Sequence, residues 1–124
     1  MKNKQVFGHQ FLCVMLSCSQ KSFIYHIERY VQGAKSKIER VCEIVDSLPV
    51  PKGEAYGLCD SWFTSEKVIN AHFKSGYNLI GALKTNRIIY PQGIRIQVKN
   101  FAQYVEKSDV CLVTVNSSKY WVYR

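Results

Sequence analysis

A chain of 124 residues and 14.3 kDa, 47% of them hydrophobic, has the size of one domain and enough apolar mass for a core. Seventeen Lys and Arg against nine Asp and Glu give a net charge of +8 and a pI near 9.3. This favours an anionic partner, nucleic acid or a membrane surface, and composition does not choose between them. The longest strongly apolar stretch, residues 11–16, falls far short of the roughly 20 needed to span a bilayer, and the start does not read as a signal peptide, so a cytoplasmic protein without a membrane span is expected.

In chain order, residues 11–18 and 22–31 flank the polar Ser19, Gln20 and Lys21 and read as an antiparallel hairpin. In its second arm Phe23, Tyr25 and Ile27 share one face, with His26 and Glu28 on a wetter one. Ser36-Lys37-Ile38-Glu39 fits a capping box and starts a helix. Ile38, Val41, Cys42 and Val45 make its inner stripe, with Lys37, Arg40, Glu43 and Asp46 outward, and Leu48-Pro49-Val50-Pro51 ends it. Residues 55–59 form a short apolar run expected to be a strand buried on both faces. Thr64 is positioned to cap a second helix with Val68, Ile69, His72 and Phe73 inward, which Gly76 stops in the left-handed region. Residues 77–83 then read as another buried strand, so 55–83 form a strand, helix, strand crossover between parallel neighbours.

Beyond it, residues 87–90 and 94–98 flank the turn-forming Pro91-Gln92-Gly93 and suggest a second hairpin. Asn100 is suited to cap a short helix with Phe101, Tyr104 and Val105 inward, and residues 110–115 and 119–124 pair across Asn116-Ser117-Ser118. The five cysteines, Cys13, Cys18, Cys42, Cys59 and Cys111, contain no CxxC pair and sit mostly in apolar runs, as reduced core thiols do. His9, Cys13, Cys18 and His26 do not make a convincing zinc set, because Cys13 and Cys18 have opposite parity along a strand.

Charge is concentrated. Between Glu66 and Glu106 there is no acid, while Lys67, Lys74, Lys84, Arg87, Arg95 and Lys99 all fall in that interval. By period two, Arg95, Gln97 and Lys99 share one face of their strand, a cationic ribbon able to follow phosphates; a merely solvated strand face has the same pattern. Trp62 and Tyr90 are suited to stack on exposed bases and equally to pack. Asp60 stands where the run 55–59 stops. At the carboxyl end of a strand in an open α/β sheet it is either a turn or cap residue or a ligand-binding carboxylate.

Three blocks carry a resemblance: Gly8-His9-Gln10, Leu58-Cys59-Asp60-Ser61-Trp62-Phe63, and residues 80–87 followed by Ile89-Tyr90-Pro91. In wording, order and spacing the chain resembles the catalytic domain of DDE transposases of bacterial insertion sequences over nearly its whole length. The resemblance implies an α/β, ribonuclease-H-like fold, partial here, with residues 1–83 as the ribonuclease-H-like part and 84–124 as a β-rich insertion. It implies three carboxylates holding two magnesium ions for DNA cleavage and strand transfer. Asp60 matches the second of the three, as catalytic and metal-binding residue. Lys84, Asn86, Arg87, Arg95, Lys99 and Trp62 are the expected nucleic-acid contacts, and the implied partners are transposon-end and target DNA and a full-length transposase, with no small-molecule substrate.

The other two carboxylates have no counterpart. Met1-Lys2-Asn3-Lys4-Gln5 is too short for the strand bearing the first, and Arg124 precedes the helix bearing the last. Glu54, Glu106 and Asp109 stand in no motif position. The expectation is a chain catalytically inert alone, with two strand edges left unpaired where the central first strand is missing, or a non-native pairing in its place. The competing reading is a basic, non-enzymatic module that touches DNA or the transposase.

Overall fold

The structure, a computed structural model, describes Gln5 and residues 7–124. Residues 1–4, on which the expectation of a missing first strand partly falls, lie outside the described residues. Contacts divide the chain into two units, residues 1–57 with 65–79, and residues 58–64 with 80–124.

In the first unit, Ser19 and Gln20 take φ of 50° and 64°, the left-handed pair that a two-residue hairpin turn requires. They join β1 (Gln10–Cys18) to β2 (Lys21–Tyr30) in antiparallel register. The alternation expected along β2 is broken. Val14 pairs with His26 and Met15 with Ile24, so Tyr25 is an extra, bulged residue. Past the bulge the faces exchange: Ile27 is exposed, while Tyr25, His26 and Glu28 are half-buried. Glu28, expected on the wetter face, and the bulged Tyr25, expected on the other, both bond to the first helix. Glu28 accepts Nε and Nη2 of Arg40 at 2.9 and 2.6 Å, and the Tyr25 hydroxyl donates to Ser47 O at 2.8 Å.

That helix, α1 (Lys37–Asp46), starts as the capping box requires: Glu39 N donates to Ser36 Oγ at 3.2 Å and Ser36 N to Glu39 Oε2 at 2.8 Å. The Ser36 amide, and after it the Ser36 hydroxyl, hold the Glu39 carboxyl below its ordinary range. Its buried side chains are Ile44 and Val45, and Arg40 and Glu43, expected outward, are half-buried in an ionic chain from Glu28 through Arg40 and Glu43 to Lys35. Helix α2 (Glu66–Lys74) packs on α1 and buries Val68, Ala71 and His72. Its cap is Ser65, not Thr64; Ser65 Oγ accepts Val68 N at 3.4 Å. Phe73, expected inward, is 78% exposed, since an i, i+3, i+4 stripe at 68, 71 and 72 leaves the next residue about 100° further round. Gly76 takes φ +84°, as its place at the helix stop demands.

Strands β3 (Tyr56–Cys59) and β4 (Asn78–Gly81) form their own two-stranded sheet. Bonds from Asn78 N to Ala55 O at 2.9 Å and from Ala82 N to Cys59 O at 3.3 Å advance together along both strands, a parallel pairing across a helical crossover. Neither strand is buried on both faces as its apolar composition predicts. Gly57 and Cys59 are half-buried, while Tyr56 and Leu58 are exposed, Leu58 at 77%, because only one side of this narrow sheet is covered. Gly57 is required there: a Cβ would stand 2.4 Å from His72 Cδ2.

The second unit is built on an antiparallel sheet of order β6, β5, β7, β8, from β5 (Ile88–Pro91), β6 (Ile96–Gln97), β7 (Val110–Val115) and β8 (Ser118–Tyr123). Ile89, Val113 and Val115 form its core. Gln92 and Gly93, at φ 51° and 80°, make the turn before β6. The chain then leaves the sheet: Val98–Phe101 is a short helix, α3, whose N-cap is Gln97, so Asn100 lies inside the helix rather than capping it. Val105 is buried as expected, whereas Tyr104 is exposed. All five cysteines are free thiols; Cys13 and Cys18, expected in the core, are exposed on β1. Among the described residues no helix is long and apolar enough to cross a membrane.

Candidate nucleic-acid interface

Asp60 follows the last residue of β3 and is exposed, at the carboxyl end of a parallel strand. Its carboxylate is engaged locally. Oδ1 accepts the amides of Trp62 at 2.9 Å and Phe63 at 3.4 Å, and the main-chain oxygen accepts Phe63 N at 3.2 Å. This is an Asx turn, in which an aspartate satisfies amides that the chain reversal would otherwise leave without partners. It precedes the helix without capping it.

Thr64 locks the turn from below. It is buried, and its hydroxyl donates to Asp60 O at 2.9 Å. Cys59 Sγ lies 3.6 Å from the same hydroxyl; burial outweighs that contact, which pulls the other way, and with the Asp60 charge pushes the Cys59 thiol up, away from the thiolate. Gly81 of β4 comes so close that a Cβ would meet Thr64 Oγ1 at 2.4 Å.

The segment after β4 brings the cations. Arg87 Nη1 donates to Thr64 O at 3.2 Å, and Lys84 Nζ sits 5.0 Å from the centroid of the Trp62 ring, which is 57% exposed. Asp60, Trp62, Lys84 and Arg87 are therefore held together through one turn. Asn86 lies in the adjacent turn, closed by Arg87 N to Lys84 O at 3.0 Å.

The expected ribbon of Arg95, Gln97 and Lys99 does not form. Only Ile96 and Gln97 are in the strand, and Lys99 is helical. The chain bends because Val98 N donates to Arg87 O at 2.9 Å and Lys99 N to Thr85 O at 3.0 Å. Lys99 is thereby tied by its backbone to the segment of Lys84, Asn86 and Arg87, and no such bond ties Arg95 to it. Sequence reading missed Thr64 as the residue that fixes this site, since Thr before an apolar helical stripe looks like a cap.

A magnesium pair needs several carboxylate oxygens converging on one point. Here one oxygen of Asp60 already accepts two amides, and among the described residues no three His, Cys, Asp or Glu side chains come together to hold an ion. The other nearby acids are used locally: Glu54 accepts the Tyr56 hydroxyl at 2.7 Å, and Asp109 Oδ2 accepts Glu106 N at 3.1 Å. The residues present do not fit the metal pair.

The family model of a zinc-finger of C2H2 type matches residues 57–76. No curated protein and no solved structure matches the chain. The matched segment holds Cys59 and His72 with twelve residues between them, the internal spacing of such a finger. Its outer ligands are missing: Glu54, Ala55 and Tyr56 stand where the first cysteine belongs, and Gly76, Tyr77 and Asn78 where the second histidine belongs. His72 Nδ1 donates to Val68 O at 2.8 Å, a bond made in the middle of its own helix. The match covers too little of the chain to assign it to that family, and the residues present do not build a zinc site.

Proposed function

We propose that the chain is a segment of a transposase-type catalytic domain that contacts DNA through the Asp60 turn and its neighbouring cations and has no metal-dependent cleavage activity alone. The observation that carries this reading is the Lys84 ammonium over an exposed Trp62 ring, fastened by Arg87 to the turn that presents Asp60. Two cations on one turn offer phosphate contacts, and the Trp62 ring backs one of them, an arrangement suited to a nucleic-acid backbone. The zinc-finger-like match at residues 57–76 points weakly to the same class of partner. The likeness to DDE transposases supplies the substrate class, DNA at transposon ends and targets, and a full-length transposase as a second partner; the cytoplasm is the compartment proposed with them.

The test is a salt titration of binding to duplex DNA. Affinity should fall linearly on a logarithmic salt scale, with a slope reduced by about 1 for each of Lys84→Ala and Arg87→Ala. Binding that is immeasurable at low salt, or a slope unmoved by both changes, refutes the contact surface. Magnesium-dependent nicking that vanishes in Asp60→Ala refutes the inert part of the proposal.

A further inference from the structure

The sheet β6, β5, β7, β8 has two faces of different character. One is the core around Ile89, Val113 and Val115. The other follows from strand parity and register: Leu112 stands opposite Trp121, Val110 opposite Tyr123, and Thr114 between Tyr90 and Lys119. Trp121 is 70% and Tyr123 61% exposed, and Tyr90, Leu112 and Val110 are exposed beside them. Large rings left on an open sheet face mark a binding surface rather than ordinary solvent exposure.

The charge around this face identifies the partner. Lys119 stands on it, Arg124 follows Tyr123 at the end of β8, and no carboxylate shares the parity of the exposed residues on β7 and β8. The unit of residues 58–64 and 80–124 carries seven Lys and Arg against three Asp and Glu. An apolar peptide or helix has no use for an uncompensated cationic border, whereas a polyanion with aromatic bases does.

Spacing selects the form of nucleic acid. Trp121 and Tyr123 are two residues apart on one strand, about 7 Å, roughly twice the 3.4 Å separation of stacked bases in a duplex strand. Each ring can take a base only if the bases are unstacked from one another, and a duplex offers base edges in its grooves, not base faces. We propose that this face binds single-stranded nucleic acid, with Trp121 and Tyr123 each stacking one base and Lys119 and Arg124 contacting phosphates. The proposal rests on the preceding section only for the class of partner; the residues and the surface are different.

The experiment compares fluorescence anisotropy of a labelled oligo(dT) of roughly 12 nucleotides, within the footprint such surfaces cover, with that of a duplex of equal length, using the full chain. Trp121→Ala should weaken oligo(dT) binding roughly 5- to 150-fold, the loss of one stacked base, leave duplex affinity and its salt slope unchanged, and be largely rescued by Trp121→Phe. Tyr123→Ala should behave in the same way and serves as the second variant if Trp121→Ala does not fold. A change below about 2-fold for both variants, against that stacking expectation, overturns the proposal, as does an equal loss on oligo(dT) and duplex. Self-association of the unaltered chain that Trp121→Ala abolishes also overturns it, because a second copy then occupies the face. Duplex binding without oligo(dT) binding defeats this inference and leaves the Asp60-turn reading standing; no binding of either defeats both.

Discussion

Gly81→Ala tests whether the Asp60 turn is held as described. The added Cβ would stand 2.4 Å from Thr64 Oγ1, 3.0 Å from its Cγ2 and 3.2 Å from its Cβ. Threonine is stiff about χ1, and this one donates its hydroxyl to Asp60 O at 2.9 Å, so it cannot yield without breaking that bond. Overpacking costs about 1–3 kcal/mol and the lost hydrogen bond about 0.5–1.5 kcal/mol, giving roughly 2–4 kcal/mol in all. With a urea m-value near 2 kcal/mol/M the unfolding midpoint should drop by about 1–2 M. Thr64→Ala alone should cost about 1 kcal/mol, mainly the hydrogen bond. It also removes the two atoms closest to the new Cβ, so the double variant should be more stable than the sum of the single effects by at least about 1 kcal/mol. Urea unfolding of the four proteins closes the cycle. A Gly81→Ala effect within about 0.5 kcal/mol of zero, the range of an ordinary surface change, would refute the close approach of β4 to the turn, as would strict additivity.

Other changes probe separate parts of the fold. Ser36→Ala removes one half of the capping box of α1 and should cost about 1 kcal/mol in urea unfolding. Gly76→Ala forces a Cβ into a residue at φ +84° and sets it 3.3 Å from Pro51 Cγ, so a loss of about 1–2 kcal/mol is expected in the same assay. Acid should destabilise the protein through carboxylates on β2 and α1. The Arg40 guanidinium holds Glu28 below its ordinary range, the Lys35 ammonium does so for Glu43, and the Ser36 bonds for Glu39. A carboxylate depressed in the folded state contributes stability above its unfolded pKa and loses it as pH falls through the folded value. Urea midpoints should therefore hold steady from neutral pH down to the ordinary carboxylate range and fall below it, with a shallower fall in Glu28→Gln; a flat profile would contradict these assignments.

The order of elements was legible because local signals were strong. Ser36 with Glu39, Gly76 after an apolar helical stripe, and Pro91-Gln92-Gly93 between β-rich runs each state their own conformation. What failed were inferences needing information from elsewhere in the chain. Nothing near Tyr25 signals a bulge, so the faces of β2 were inverted beyond it. Leu58 looks like core because it is apolar, yet a sheet two strands wide with one side covered leaves it exposed. Lys99 fits a period-two ribbon until the bonds to Thr85 and Arg87 turn the chain into a helix. At the candidate site, the exposed Asp60 after a strand was readable from the apolar run before it. Its engagement with Trp62 and Phe63 amides was not, because an Asx turn and a waiting metal ligand share the same residue type and position. Lys119, Trp121 and Tyr123 alternate plainly in the sequence, but only the register with β7 shows that they share a face.

Among the described residues, the narrow parallel pair of β3 and β4 leaves main-chain donors and acceptors of these strands without a ladder partner, next to apolar side chains such as Leu58. Such a border is a template for any extended polypeptide of matching polarity, and identical molecules are the commonest supply in a concentrated preparation. The concentration of the protein itself thus becomes a variable: dilute samples should stay dispersed, and crowded ones should recruit one another into intermolecular β-structure detectable by amyloid dyes.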